Sequence, residues 1–334
     1  MKKSKKNMKL QILVPHYKEE WEVVKTLLDS IEVQQNVDLK NEVGVIIVSD
    51  GSELILDRKL FKKYSFPIEY YIEEHRGVSA TRNACLDKAT ADYVMFCDAD
   101  DMFYNACGLY IVFREMTGKG FDSLVSTFIE ESRMPDTKEP LYINHDMDST
   151  FVHGKIHRRQ YLIDNNIRWN DSLTIHEDSY FNCLCQRLAG ELKYSQTSFY
   201  LWRWRDASVC RHDPKYILKT YNNMLDSNDA LVEQFLKRNR PQDAQFYAVS
   251  MIYDAYFTMN KDEWLNQENH DYRDATELRF KKYWNKYKYL HDAIASDAKA
   301  QIVMGIKNRM YMEGMILESL TFEQWIKQVE SMEE

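Results

Sequence analysis

The sequence predicts a doubly wound α/β sheet of mostly parallel strands, followed by a helical C-terminal module. Three observations carry that reading. Short apolar runs alternate with segments of helical periodicity through the first half of the chain. Polar clusters stand at the exits of those runs, where open α/β sheets bind their ligands. Beyond Pro214 the short runs stop and only helical spacing remains. The 334 residues are 44% hydrophobic with 10 Gly and 6 Pro, which suffices for a sizeable core in one large domain or two ordinary ones.

Leu10-Gln11-Ile12-Leu13-Val14 reads as a strand ended by Pro15. Trp21, Val24, Leu27, Leu28 and Ile31 then recur at helical spacing. Val43 to Val48 is a second buried strand, closed by Ser49-Asp50-Gly51-Ser52, a turn in which Gly51 can take positive φ. A short helix runs to about Tyr64, and Ile68 to Ile72 is a third strand. Val78 to Ala89 is helical, and Tyr93 to Cys97 is the fourth strand. Asn105 to Met116 reads as a helix, Phe121 to Ile129 as a strand, and the polar stretch Arg133 to Asp148, with its two prolines, as a long loop. Arg158 to Asn165 is a short helix. Thr174-Ile175-His176-Glu177-Asp178 opens another, to about Ala189, and Thr174 with Glu177 matches a capping box. Leu192–Tyr194 and Phe199–Trp204 are strands. Tyr221, Leu225, Val232, Phe235 and Leu236, then Val249, Ile252, Tyr253, Tyr256 and Phe257, continue in helical register. Tyr283, Trp284 and Tyr287 form an aromatic stripe of the kind that fills a core.

Net charge is −8, so no overall basic field invites nucleic acid. The basic start (Lys2, Lys3, Lys5, Lys6, Lys9) reads as a solvated tail over residues 1–8, because no long apolar core follows it. No stretch approaches the length of a membrane span. The six cysteines form no Cys-x-x-Cys pair and read as buried thiols of a reducing cytosol. Dinucleotide and P-loop glycine motifs are absent.

The chemistry concentrates at Tyr93-Val94-Met95-Phe96-Cys97-Asp98-Ala99-Asp100-Asp101, where a buried strand runs into three carboxylates. Asp98 and Asp100, two apart in extended backbone, point the same way. Converging carboxylates repel unless a cation joins them, and their oxygens suit magnesium or manganese. Asp146-Met147-Asp148 has the same spacing but follows no buried strand. His16-Tyr17-Lys18-Glu19 and Asp50-Gly51-Ser52 stand at the same sheet edge.

Five ordered blocks resemble the family 2 glycosyltransferases of the GT-A (Rossmann-like) fold over roughly residues 9 to 212. They are Ile12 to Glu19, Val48 to Ser52, Gly77-Val78-Ser79-Ala80-Thr81-Arg82-Asn83, Phe96 to Asp101, and His176-Glu177-Asp178. The resemblance implies a nucleotide-sugar donor, most simply a UDP-sugar, with Mn2+ or Mg2+ and an inverting displacement onto an acceptor hydroxyl. It places Pro15, Tyr17 and Glu19 in the nucleoside pocket, with Asp50 facing the base; Ser49 stands where the family's Asp-Asp-Gly-Ser has its first Asp. It puts Arg82 near the donor phosphates, Asp98 on the donor, Asp100 on the metal and Asp178 in the role of catalytic base. Arg203, Arg205 and Ser208 resemble the segment that closes over the pyrophosphate, and His212 is a candidate further metal ligand. His153-Gly154-Lys155 sits where the family often has a Gly-Lys turn near the acceptor; a plain turn fits equally. Trp202 and Trp204 alternate with Arg203 and Arg205, so the tryptophans are expected toward the core and the arginines toward the cleft.

The expected organisation is a basic tail over 1–8, a glycosyltransferase domain over 9–213 and a helical module over 214–334 that recognises the acceptor or mediates homo-oligomerisation. The expected setting is cytoplasmic, without a membrane span. The acceptor is a glycan, a polymer or another hydroxyl-bearing molecule; nucleic acid enters only as a modified-base acceptor. Two rivals are a nucleotidyltransferase on a similar sheet and a sugar- or nucleotide-binding protein without turnover. The first lacks its usual Gly-rich basic loop after the first strand; intact Asp98, Asp100 and Asp178 oppose the second.

Overall fold

A computed structural model describes residues 8–206, 215–312 and 320–333. The chain divides into two compact units, Met1–Ser208 and Val209–Glu334.

Among the described residues the first unit is built on nine strands: β1 Leu10–His16, β2 Val43–Asp50, β3 Ile68–Glu73, β4 Tyr93–Phe96, β5 Met102–Phe103, β6 Ser123–Arg133, β7 Pro140–His145, β8 Lys155–Arg158 and β9 Leu192–Trp202. They form one sheet in the order β3-β2-β1-β4-β8-β6-β9-β5, with β7 added to β6. Strands β3, β2, β1 and β4 are mutually parallel, and β6 runs parallel to β9. The antiparallel β8 lies between these two groups, pairing with β4 and β6. Helices α1 Trp21–Glu32, α2 Leu39–Glu42, α3 Val78–Lys88, α4 Gly108–Glu115, α5 Arg159–Asp164 and α6 Glu177–Arg187 connect the strands. The central strands β1 and β2 are buried almost throughout, as expected for parallel strands covered on both faces.

Several boundaries differ from the sequence reading. β1 runs through Pro15 to His16, because at Pro15 only β2 pairs with it; the β4 ladder ends at Leu13. A proline is tolerated where one side of the strand needs no donor. The stretch 133–148 is not a loop: β7 folds back on β6 from Arg133↔Pro140 to Phe128↔His145. β7 is exposed along its length, so it carries no alternating apolar signal. β8 was hidden for the opposite reason, since its polar Lys155 and His157 are buried. The two late strands are one, β9, with an irregularity in its pairing opposite Ser126 and Phe128. The capping box at Thr174 does not form. The cap of α6 is His176, in left-handed backbone at φ 61 and without a side-chain cap bond. Cys107 is an exposed thiol rather than a buried one.

The second unit is helical: α7 Tyr216–Lys237, α8 Pro241–Met259, α9 Asp262–Leu265, α10 His270–Ala293, α11 Ser296–Met312 and α12 Phe322–Ser331. The aromatic stripe is core, with Tyr283, Trp284 and Tyr287 all buried. Buried aromatic polar tips need partners, and they have them. The Tyr283 hydroxyl donates to Asn228 Oδ1 at 2.6 Å, the Tyr287 hydroxyl to Asp229 Oδ1 at 2.6 Å, and Trp284 Nε1 to Glu330 Oε1 at 2.9 Å. Among the described residues no helix is long and apolar enough to cross a membrane.

Candidate active site

The parallel strands β1, β2 and β4 end at a cleft of about 330 Å³. Its lining includes Pro15, Tyr17, Glu19, Asp50, Arg82, Asp98 and Asp100, with His16, His75 and Gly77 beside them. Seven residues singled out in the sequence therefore share one cleft. Register explains it. His16 ends β1 opposite Ser49 of β2, and Leu13 faces Phe96 of β4, so the three strand exits lie side by side.

On the β1 side, Tyr17 stacks on His75 with ring centroids 4.8 Å apart and planes 18° off parallel. Glu19 bends the chain back: its Oε2 accepts from the Tyr17 amide at 2.9 Å, and its carbonyl meets His16 Nε2 at 2.8 Å. Asp50 is spent on the loop after β3. Its Oδ1 accepts from the Arg76 amide at 2.7 Å, and its Oδ2 meets the Gly77 amide at 3.0 Å and His75 Nδ1 at 2.9 Å. Gly51 has φ +65, and a Cβ there would lie 2.4 Å from the His75 amide nitrogen. The tight turn therefore requires glycine.

Arg82 is the centre of the site. It lies on α3, buried, with its guanidinium 4.5 Å from the centroid of the Trp169 ring. Nη1 donates to Glu177 Oε1 at 2.9 Å and to Asp178 Oδ1 at 2.8 Å, and Nη2 donates to Asp98 Oδ1 at 3.0 Å. Burial works against its charge, but Asp178, Asp98 and Glu177 outweigh that and hold its pKa above the ordinary arginine value. Arg82 thus ties Asp98, at the exit of β4, to the acids that open α6. Asp178 receives a second bond, from the Val152 amide to Oδ2 at 3.1 Å. Burial raises the pKa of Asp178 to about 7; Arg82 pulls it down, while Glu177 and Asp98 push it up. Three acids around one guanidinium leave a net negative charge, so retention of a proton near neutrality is physically sensible.

The carboxylate trio divides its work. Asp98 and Asp100 are each about one-third exposed, at 30% and 32%, and both line the cleft. Arg205 Nη1 donates to Asp100 Oδ2 at 2.8 Å, and Arg203 Nη1 to the Asp100 carbonyl at 3.2 Å. The two arginines reach the cleft side, as the alternation requires, while Trp202 packs against the core. Asp101 is buried. The Tyr200 hydroxyl donates to its Oδ2 at 2.5 Å and the Arg203 amide to its Oδ1 at 2.9 Å. Burial raises its pKa, and Asp100 and Asp98 add to the effect. Ligand atoms of Asp98, Asp101 and His153 lie within 4.8 Å of one another. Two carboxylate oxygens and an imidazole suit a divalent cation chemically. Ser208 and His212 lie outside the described residues.

Sequence reasoning missed several participants. His75 gave no periodic signal. Glu177 was read as a structural cap. Trp169 lies in a polar stretch and Tyr200 in an apolar run, and only the fold brings them to Arg82 and Asp101. Asp101 was visible as the third acid but carried no separate role.

A model of "Glycosyl transferase family 2" matches residues 11–181. The glycosyltransferase GlyA of Streptococcus pneumoniae serotype 4 (strain ATCC BAA-334 / TIGR4) is 27% identical over 227 residues, covering 61% of this chain and 32% of that protein. A cholesterol galactosyltransferase of Borreliella burgdorferi (strain ATCC 35210 / DSM 4680 / CIP 102532 / B31) is 25% identical over 233 residues, 60% of this chain and 64% of that one. The chain thus spans about a third of the first relative and under two thirds of the second. Among solved structures, S. aureus TarS 1-349 in complex with UDP superposes with a TM-score of 0.59 at 16% identity over 92% of both chains. TarS 1-349 in complex with UDP-GlcNAc gives 0.59 at 18% identity over 92% of both chains. These likenesses confirm the expected GT-A sheet followed by a helical region. The family match reaches from β1 into α6 and takes in every acid gathered around Arg82, so the chain belongs to glycosyl transferase family 2.

Proposed function

We propose that this protein moves a sugar from a nucleotide-sugar donor, a UDP-sugar, to an acceptor hydroxyl with inversion, assisted by Mn2+ or Mg2+. The observation that carries the reading is the bridge through Arg82, which lines the cleft with Asp98 and ties Asp178 to both. In this reading Asp178 Oδ takes the proton of the acceptor hydroxyl. The hydroxyl oxygen forms the new bond to the anomeric carbon. The bond from that carbon to the diphosphate oxygen breaks, and its electron pair leaves with the nucleoside diphosphate.

The other residues bind and orient. Tyr17, stacked on His75, flanks the nucleoside with Pro15 and Glu19; Asp50 braces that wall. Asp98 orients the donor. Arg203 and Arg205, both bonded to Asp100, are proposed to meet the diphosphate, and release of Arg205 from Asp100 would free that carboxylate. Asp100, with Asp98 beside it, is the acid proposed to hold the cation, and Ser208 and His212 are proposed to complete the donor and metal shells. A divalent cation bound there supplies neutralisation of the charge that builds on the leaving diphosphate. Residues 9–213 are the proposed catalytic domain. The 214–334 module is proposed to recognise the acceptor or to form homo-oligomers in the cytoplasm.

The test is release of nucleoside diphosphate across a panel of nucleotide sugars with manganese, with and without chelator, for the native chain and Asp178→Asn. Chelator-sensitive release that drops roughly 10²–10⁴-fold in Asp178→Asn is expected. Near-native transfer by a folded, donor-binding Asp178→Asn protein would end the assignment of the base. Absence of binding and release for every donor would end the proposal as a whole.

A further inference from the structure

Lys155 is a buried lysine that the mechanism above does not use. It lies on β8 opposite Val125 of β6, only 1% exposed. Its ammonium donates to the Phe151 carbonyl and lies 3.9 Å from Asp148 Oδ1. Burying an ammonium is costly, and a methionine of similar shape would fill the same volume without the charge. What the charge holds is the loop from Asp148 to Val152.

That loop is clamped along one face of α6. Asp178, Asn182 and Gln186 recur every fourth residue, so they share that face. Asp178 Oδ2 accepts from the Val152 amide at 3.1 Å. Asn182 Nδ2 donates to the Thr150 carbonyl at 2.8 Å, and Gln186 Nε2 to the Ser149 carbonyl at 3.0 Å. Asp148 Oδ1 closes the turn on the amides of Thr150 at 2.7 Å and Phe151 at 2.9 Å. The Phe151 carbonyl held by Lys155 belongs to the same peptide unit as the Val152 N–H that meets Asp178. The lysine therefore fixes, through one rigid peptide plane, the donor that orients the acid.

We propose that Lys155 is a positioning residue for Asp178: it anchors the Phe151–Val152 peptide so that the carboxylate presents one fixed oxygen pattern to the acceptor. This rests on the assignment of Asp178 as base. The groups facing Asp178 are Arg82 from α3, Asp98 beyond β4, Glu177 on its own helix and the Lys155 ammonium from β8. Loss of Lys155 removes a positive charge and loosens a hydrogen-bond donor, and both changes favour the protonated carboxylate.

The experiment compares the full-length Lys155→Met, Asn182→Ala and Asp178→Asn proteins by kcat, donor KM and the pH profile of kcat/KM. Lys155→Met is expected to lower kcat roughly ten- to a hundredfold and leave donor KM within about twofold. Its acidic limb moves upward by about half a pH unit or more. Asn182→Ala, which releases the same loop from α6, moves kcat and the limb in the same direction by less; it decides the matter if Lys155→Met does not fold. Native kcat and an unmoved limb in the folded variants overturn the inference. A rise in donor KM with unchanged kcat does the same. Strong loss in Asp178→Asn with a native Lys155→Met removes only the Lys155 role. Retained transfer in Asp178→Asn removes both.

Discussion

Replacing Arg82 by methionine removes a cation shared by Asp98, Glu177 and Asp178. Three charge-assisted bonds of 2.8 to 3.0 Å go with it, as does the stacking on Trp169. Methionine fills much of the volume, so the loss is electrostatic rather than a cavity. Breaking a buried ion pair by removing one partner costs about 3–5 kcal/mol. At about 2–4 °C per kcal/mol for a unit of this size, the melting temperature falls by roughly 6–20 °C at pH 7.5. The pH dependence supplies a second readout. In the folded chain Asp178 keeps its proton to about pH 7, whereas its ordinary value is 3.8. Between those values the native state binds more protons, so this group's contribution to stability falls as pH rises. Without Arg82 the window extends upward, so the deficit of Arg82→Met is smaller at pH 5.5 than at pH 8. Differential scanning calorimetry across that range measures both effects. A loss below about 2 °C, equal at both pH values, would refute the reasoning.

Three further outcomes follow from the geometry. If Asp178 is the base proposed above, kcat/KM for transfer rises with pH through about 7, because that carboxyl must first be ionised; a rate flat from pH 5.5 to 8.5 contradicts this. Gly51→Ala, at φ +65 with its Cβ against His75, costs about 1–3 kcal/mol and raises donor KM, because the Tyr17–His75 wall shifts; calorimetry and donor titration check it, and an unchanged KM counts against that wall. Trp264→Ala, fully buried beside Tyr221, costs the helical unit about 3–5 kcal/mol. Hydrogen exchange would show lost protection in α7 and α9 with the sheet unaffected, and a native pattern there would contradict the packing.

The first four parallel strands were legible because β1, β2 and β4 are short apolar runs with polar exits. Their adjacency placed Tyr17, Asp50, Asp98 and Asp100 in one cleft. Strands β7 and β8 were illegible for opposite reasons. Leu141, Tyr142 and Ile143 are all exposed, so no face alternates, while Lys155 and His157 are buried and read as surface. Asp178 was legible only through the local block His176-Glu177-Asp178, since nothing in a linear pattern shows that Arg82 will reach it. The cap was misread because Thr174 has the right spacing to Glu177, yet the backbone turns at His176, in the left-handed region, and discards that option.

The Arg82 junction also bears on the order in which the chain assembles. Its partners lie 16, 95 and 96 residues away along the sequence. The nearer contact spans only α3 and β4. The farther ones form after β6, β7, β8 and α5 have been laid down between them. Contacts that close long loops are slow to form. Until α6 arrives, the guanidinium has one carboxylate where it will have three. Closure of this junction therefore joins the β4 exit to α6 across the strands laid down between them, without calling on β9, which comes later in the chain.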